Sequence, residues 1–370
     1  SEEHTSELQS LTTIVCRLLL ENKVAAVQFA DNQVYFYNAD NWGVEEAYKA
    51  FGPNYETCVT KDFTENCSNR IWVIDNIDGS TFEELFKDKD YKKIDTAIKS
   101  NLNALKEILT YNIKNNIHFF RLSSKLIPLA TKSDVIFDYI DPYKDYYNSI
   151  AKIIKDNKLR IDFHPDEFCV LNSTKSEVVK NSIAILEYHY NLLKALEIKN
   201  KILVLHIGGN TFGKKNSISR FINNFNTLSK DIQESIAIEN DDEIFNIRDC
   251  VYISKNINVP VILDYHHHIC NHDELDINDY LKDILSSWHN TTPKMHFSSP
   301  KNKTKKDFRS HNDYINVDAF INFIDILKPF NHDVDIMIEA KAKDEALFRL
   351  VRELKYKTNY TFIDDTSFEV

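Results

Sequence analysis

The chain changes rhythm as it runs. Over residues 93–116, Ile94, Ala97, Ile98, Leu102, Leu105, Ile108, Leu109 and Ile113 recur at three- and four-residue intervals, which predicts an amphipathic helix. A second helix is predicted over 176–198, with Val179, Ile183, Leu186, Tyr190 and Leu193 on one face and Ser176 followed by acidic residues at its start. Between such stretches lie short apolar runs: IHFFRLSS (117–124), LRIDFHP (159–165), ILVLHIGG (202–209), SIAIEND (235–241), VPVILDYHHH (259–268), PKMHFSS (293–299) and VDIMIEAK (334–341). They are rich in β-branched and aromatic residues and end on polar ones. Near-continuous apolar strands alternating with helices predict a parallel sheet covered by helices.

Seven such units in about 250 residues fit an α/β fold of the TIM type, a (β/α)8 barrel, better than an open Rossmann sheet. No GxGxxG loop or Walker A sequence supports a nucleotide fold, and no nucleotide cofactor is expected. The eighth strand must then precede residue 93. RIWVID (70–75) is the candidate, so the first barrel strand is either replaced or missing. The expected organisation has four parts. Residues 1–10 resemble a translated sequencing adapter, 11–92 form an N-terminal segment of unassigned nature, 93–350 form the barrel and 351–370 a C-terminal tail.

Charge qualifies the choice of partner. The net charge of −11 argues at first against nucleic acid. Residues 1–92, however, hold 17 acidic and 8 basic side chains, leaving 39 acidic and 37 basic for the rest. Bound divalent cations would offset several of those acids, and the KNKTKK loop (301–306) offers either phosphate contacts or a solvated turn. No apolar run approaches the ~18 residues of a membrane span and no secretory signal is visible. The six cysteines form no CxxC pair and read as reduced thiols, so an intracellular location is expected. Oligomeric state is not legible.

The chemistry lies at the strand ends. His164, His206, Glu239, Asp264 with His267, His296 and Glu339 end six consecutive strand runs, and His311 follows in the next loop. A barrel gathers its C-terminal strand ends on one face, where sites are built. One such histidine is an ordinary half-buried residue; a run of them is a ligand set. Imidazole with carboxylate suits zinc, manganese or iron, and several carboxylates allow bridging between ions. Clustered ions are a device for phosphodiester hydrolysis. Lys294, two residues from His296, shares its strand face and is read as reaching the site, a surface lysine being the alternative.

A family resemblance follows from the ordered motifs. FRLSSKLIPLAT (120–131), FHPDEF (163–168), HIGG (206–209), ENDD (239–242), the Asp264-x-x-His267 pair, KMHFSSPK (294–301), RSHNDY (309–314) and MIEAKAKDEALFRL (337–350) resemble, in that order, the UV-damage DNA endonucleases. Members are barrels related to the endonuclease IV and xylose isomerase group. The resemblance implies metal-dependent hydrolysis of damaged double-stranded DNA immediately 5′ of UV photoproducts, leaving a 3′-hydroxyl and a 5′-phosphate. It implies two or three divalent ions, manganese first, with zinc or magnesium as alternatives. It also implies that His164, His206, Glu239, Asp264, His267, His296, His311 and Glu339 form the metal shell, with Glu239 bridging. Glu239, Lys294 and Glu339 are the catalytic candidates. Glu167 and Phe168 match the family's lesion-probing pair, with Glu where Gln is usual. Arg121 is either a DNA contact or a structural ion-pair partner. The rival readings are an AP endonuclease or sugar isomerase on the same barrel, or an inactive DNA-binding relic.

Overall fold

The computed structural model describes residues 24–30, 33–38, 91–131, 137–165, 168–302, 304 and 307–370. RIWVID (70–75), Glu167 and three lysines of the KNKTKK loop (Lys303, Lys305 and Lys306) lie outside the described residues. The chain divides into two compact units, Ser1–Tyr111 with Lys125–Leu129, and Asn112–Ser124 with Ala130–Val370.

In the first unit, β1 (Val24–Ala30) and β2 (Gln33–Asn38) form an antiparallel hairpin with Gln28 opposite Tyr35. Helix α1 (Tyr91–Lys114) begins there and buries the predicted stripe Ile94, Ala97, Ile98, Leu102, Leu105 and Leu109. Asn101 is also buried on that face, and its amide donates to the Leu126 carbonyl at 3.0 Å.

The second unit is a nearly closed barrel. Its strands are β3 (Phe119–Leu122), β4 (Arg160–Phe163), β5 (Leu203–His206), β6 (Ile236–Glu239), β7 (Val261–Asp264), β8 (Lys294–Phe297) and β9 (Asp335–Ile338), one inside each predicted run. They form one sheet in chain order, every neighbour parallel. Between them run α2 (Lys144–Asp156), α3 (Ser176–Ala195), α4 (Lys214–Phe225), α5 (Lys230–Gln233), α6 (Ile247–Ile257), α7 (Tyr265–Cys270), α8 (Asn278–Ser286) and α9 (Val317–Leu327); α10 (Lys343–Lys357) follows β9. The expected 351–370 tail is therefore helical as far as Lys357, and it ends in a small antiparallel pair, β10 (Thr361–Phe362) with β11 (Phe368–Glu369).

The α3 stripe differs from the predicted one. Its buried residues are Ser182, Leu186, Tyr188, His189, Leu192 and Leu193, while Val179, Ile183 and Tyr190 are only half-buried. Ser182 fits inside because its hydroxyl donates to the Val178 carbonyl at 2.8 Å and accepts the Val170 N–H at 2.8 Å. His189 fits because Nδ1 donates to the Ile185 carbonyl at 2.8 Å and its ring lies edge-on to Phe163. Hydrogen bonds at the Ser182 hydroxyl and at His189 Nδ1 let two polar residues take core positions that a count of apolar residues assigns elsewhere.

Strand alternation sorts the barrel. Ile161, Phe163, Leu203, Leu205, Ile236, Ile238, Leu263, Met295 and Phe297 are buried on one face of the sheet. The alternate positions point inward, where Ile202, Val204, Ala237 and Ile262 pack with Trp288. The Trp288 indole N–H donates to the Val261 carbonyl at 2.8 Å, and the Arg160 guanidinium lies 5.3 Å from its ring.

Three ion pairs join β3 and β4 to β8 and β9. Arg160 donates to Asp335 at 2.6 Å, Lys294 is bonded to Asp162, and Arg121 donates to Glu339 at 2.8 Å. Lys294 is fully buried, which excludes the surface reading of that residue.

Trp288→Ala is expected to cost about 3–5 kcal/mol, the usual range for emptying a large core site. Urea unfolding followed by circular dichroism measures it. A midpoint equal to wild type would show that the barrel interior does not rest on this side chain.

Candidate metal centre

The inward positions at the C-terminal ends of the strands form one layer. Each strand, or the residue just after it, supplies one member: Arg121, His164, His206, Glu239, Asp264, His296 and Glu339. His267 joins from α7 and His311 from the loop beyond β8.

Glu239 is the hub. His164 Nε2 lies 3.0 Å and His206 Nε2 3.8 Å from its Oε2, while His296 Nδ1 lies 2.8 Å and His267 Nδ1 3.6 Å from its Oε1. Asp264 caps α7, its Oδ1 accepting the His267 N–H at 2.8 Å, and so holds its other oxygen 3.7 Å from His267 Nδ1 and 4.0 Å from His296 Nδ1. Glu339 Oε1 lies 3.3 Å from His296 Nδ1, and its Oε2 3.8 Å from His311 Nδ1. All eight predicted ligands therefore converge.

The donor atoms fit cations. Three sets have ligand atoms within 4.8 Å of one another: His164, His206 and Glu239; Glu239, Asp264 and His267; Asp264, His296 and Glu339. His164 Nδ1 lies 2.9 Å from the Pro165 carbonyl, which can only accept, so Nδ1 carries the hydrogen and Nε2 turns a lone pair toward the Glu239 carboxylate. Two acceptors facing one another call for a proton or a cation between them. His206 Nδ1 and Asp264 Oδ2 are buried without a hydrogen-bond partner, and such groups are costly unless something pairs them.

The electrostatics tell the same story. Burial pushes the Asp264 carboxyl up to about 7, with Glu239 and Glu339 adding repulsion and His267 opposing it. Burial alone would raise Glu239 too, but His296 and His206 outweigh it and hold that carboxyl well below the usual range. Glu339 is held down in the same way by Arg121 and His296. His267 rises to about 9, because Asp264, Glu239 and Glu339 overcome its desolvation. Burial lowers His296 to about 4.

Several supporting residues carry no sequence signal that singles them out. Asn240 brackets two strands: its amide donates to the Asp264 carbonyl at 3.0 Å and accepts the Asp264 N–H at 2.9 Å, and its own carbonyl accepts from His267 Nδ1 at 3.0 Å. Asp162, the buried partner of Lys294, stands two residues before His164, so strand alternation alone places it inside. Arg121 makes the ion pair that was one of its two expected roles: besides Glu339 it donates to His296 Nε2 at 2.8 Å. Phe168 stands exposed in the loop after β4. Burial pushes His266 and His268, the neighbours of His267, down to about 4. His266 lies edge-on to His311.

Asp264 and His267 are both raised in the folded state. The stability each contributes to the metal-free protein is present at low pH and is lost as pH rises, through about 7 for Asp264 and about 9 for His267. A cation must displace those protons. Affinity for Mn2+ is therefore expected to climb as pH rises through this window, by about tenfold per unit for each proton displaced. Titration calorimetry in buffers of different ionisation enthalpy reads both affinity and protons released. A pH-independent affinity would remove Asp264 and His267 from the shell.

Known proteins place this geometry. The UV-endonuclease UvdE family model matches residues 57–368, and so takes in part of the segment ahead of the first motif. The UV DNA damage endonuclease of Bacillus cereus (strain G9842) is 38% identical over 278 residues, covering 74% of this chain and 87% of that protein. That of Bacillus thuringiensis subsp. konkukian (strain 97-27) is 37% identical with the same coverage. The crystal structure of SacUVDE is 35% identical with a TM-score of 0.67, covering 72% of this chain and 89% of that one. No helix among the described residues is long and apolar enough to cross a membrane. With the family model spanning most of its length and close relatives covering three-quarters of it, this chain belongs to the UV-endonuclease UvdE family.

Proposed function

We propose that this chain is a metal-dependent endonuclease that nicks duplex DNA immediately 5′ of UV photoproducts, leaving a 3′-hydroxyl and a 5′-phosphate. The carrying observation is the single layer in which the barrel strands deliver imidazoles and carboxylates around Glu239. Family membership supplies the substrate class.

In this reading two or three divalent ions sit in the three ligand sets, manganese first, with zinc or magnesium as alternatives. His164 and His206 hold one with Glu239, His267 and Asp264 a second, and His296 and Glu339 a third, with His311 beside Glu339. Such ions supply a nucleophile near neutral pH and offset charge on the phosphate. The chain's own work is positioning. Glu239 and Asp264 belong to two sets each and would serve as shared carboxylates if neighbouring sets were filled. Arg121 fixes the Glu339 carboxylate, and Asn240 fixes both Asp264 and His267. Lys294, paired with Asp162 beneath His296, closes the floor to water and sets positive charge under the carboxylates. Phe168, which follows Glu167 in the chain, presents an exposed ring, 68% accessible, that fills the gap a distorted base stack leaves.

An end-labelled duplex carrying one cyclobutane dimer tests the reading, beside undamaged and abasic duplexes. A Mn2+-dependent cut 5′ of the dimer is expected, with none on undamaged DNA. His206→Ala and Glu239→Gln should each lower the rate at least about 100-fold, the upper end of losses seen for outer-shell partners. Phe168→Ala should narrow the preference for damaged over undamaged DNA by about tenfold while sparing the metal content. A cut confined to the abasic duplex would make the enzyme an AP endonuclease. No cut on any duplex by folded, metal-loaded protein would sink the reading.

A further inference from the structure

The loop after β5 carries an aromatic residue that neither the metal shell nor the lesion probe uses. Phe212 is 77% exposed, the second most exposed large apolar side chain among the described residues. Its φ is +63°, in the left-handed region. A bulky residue rarely adopts that conformation, and a turn that requires it ordinarily places glycine or asparagine there. Other left-handed residues, such as Lys158, Glu197 and Asn258, follow the ends of helices, where a left-handed cap is usual. Phe212 instead precedes a helix, at the third position of the turn Asn210–Gly213, closed by the Gly213 N–H on the Asn210 carbonyl at 3.1 Å.

The surroundings enforce this conformation. The Asn216 amide donates to the Phe212 carbonyl at 2.7 Å. Arg220 and Ser217 both donate to the Thr211 carbonyl, at 2.6 and 3.2 Å. The same loop is locked to the one that bears Phe168. Asn172 donates to the Gly209 carbonyl at 2.7 Å and accepts the Gly209 N–H at 3.1 Å, while Arg220 Nε reaches the Asn172 carbonyl at 2.8 Å. The approach is so close that a Cβ on Gly208, itself at φ +106°, would lie 2.5 Å from Asn172 Oδ1. Two exposed phenylalanines thus stand on one tied platform, on the loops that follow the His164 and His206 strand ends.

Charge identifies the occupant. From residue 207 to 220, the loop and the start of α4, the chain has no aspartate or glutamate and three basic residues, Lys214, Lys215 and Arg220, of which Lys214 pairs with Asp249 at 2.8 Å. A cation-rich, acid-free segment that presents a strained, solvent-facing ring suits a polyanion with flat apolar faces. Strain held by its surroundings with no packing benefit points to function.

We infer that Phe212 is a second aromatic contact to the duplex, stacking on a base of the damaged site from the β5 loop while Phe168 enters from the β4 loop. The inference rests on the endonuclease reading above. Phe212→Asn removes the ring and places there a residue that tolerates the left-handed conformation; Phe212→Tyr keeps the ring. Binding is read by fluorescence anisotropy on a dimer-containing duplex with a phosphorothioate at the scissile linkage, and folding by thermal unfolding. Phe212→Asn should bind about tenfold more weakly, with a melting temperature equal to or above that of wild type, and Phe212→Tyr should bind as wild type does. Wild-type affinity in Phe212→Asn, or a lowered melting temperature that marks the ring as structural, overturns the inference. Failure of the wild-type protein itself to bind the damaged duplex overturns the endonuclease reading, and this inference with it.

Discussion

Three carboxylates, Glu239, Asp264 and Glu339, are crowded into one buried layer, and most of the second unit is arranged around that crowding. Left in apolar surroundings they could not all ionise, and Asp264 shows the strain by holding its proton to about 7. Around them the fold places every available form of positive or polarised group. Histidines come from the ends of β4, β5 and β8 and from α7, a guanidinium from β3, and one backbone N–H, that of His267, from the first turn of α7. Bound cations would complete what these groups only begin. The same crowding explains why the strands end where they do, since each must stop with its polar residue level with its neighbours'.

Beneath that layer the barrel is held differently. The described strands form an arc of seven, with β3 and β9 at its ends. No backbone ladder joins those two strands among the described residues. Charged side chains span the gap instead, tying β3 and β4 to β8 and β9: Arg160 with Asp335, Lys294 with Asp162, and, within the carboxylate layer itself, Arg121 with Glu339. A buried pair such as Lys294 with Asp162 adds little net stability over an apolar pair of similar size. Removing one member, however, strands a charge in the interior. Such pairs select one closure of the arc more than they strengthen it.

Much of this was legible in the residues. The seven strands follow from apolar runs whose length and β-branched content admit little else, and the ligands follow because six of the seven runs stop at a histidine or a carboxylate. Phe168 was visible only through the ordered motifs that surround it. The α3 face differs from the apolar stripe because the Ser182 hydroxyl and His189 Nδ1 find carbonyl partners within their own helix, which hydropathy cannot register. Asp162 and Asn240 escaped for a related reason: each is defined by a partner far along the chain. Arg121 was legible as one of two roles, and only the distance to Glu339 separates them. Phe212 escaped because its meaning lies in a backbone angle.

The ion pairs across the arc also set an order of events at the ribosome. Arg121 and Glu339 are 218 residues apart in the chain, and Asp162 and Lys294 are 132 apart. At roughly 5–20 residues per second, Arg121 emerges about 10–40 s before its partner exists. For that interval Arg121 and Asp162, opposite one another on β3 and β4, have only each other on the face that will become the interior. Those charges keep β3 and β4 wet, and so oppose their premature collapse or pairing with another nascent chain. The barrel's closing contacts thus serve, before they form, as a solubilising coat on its first strands.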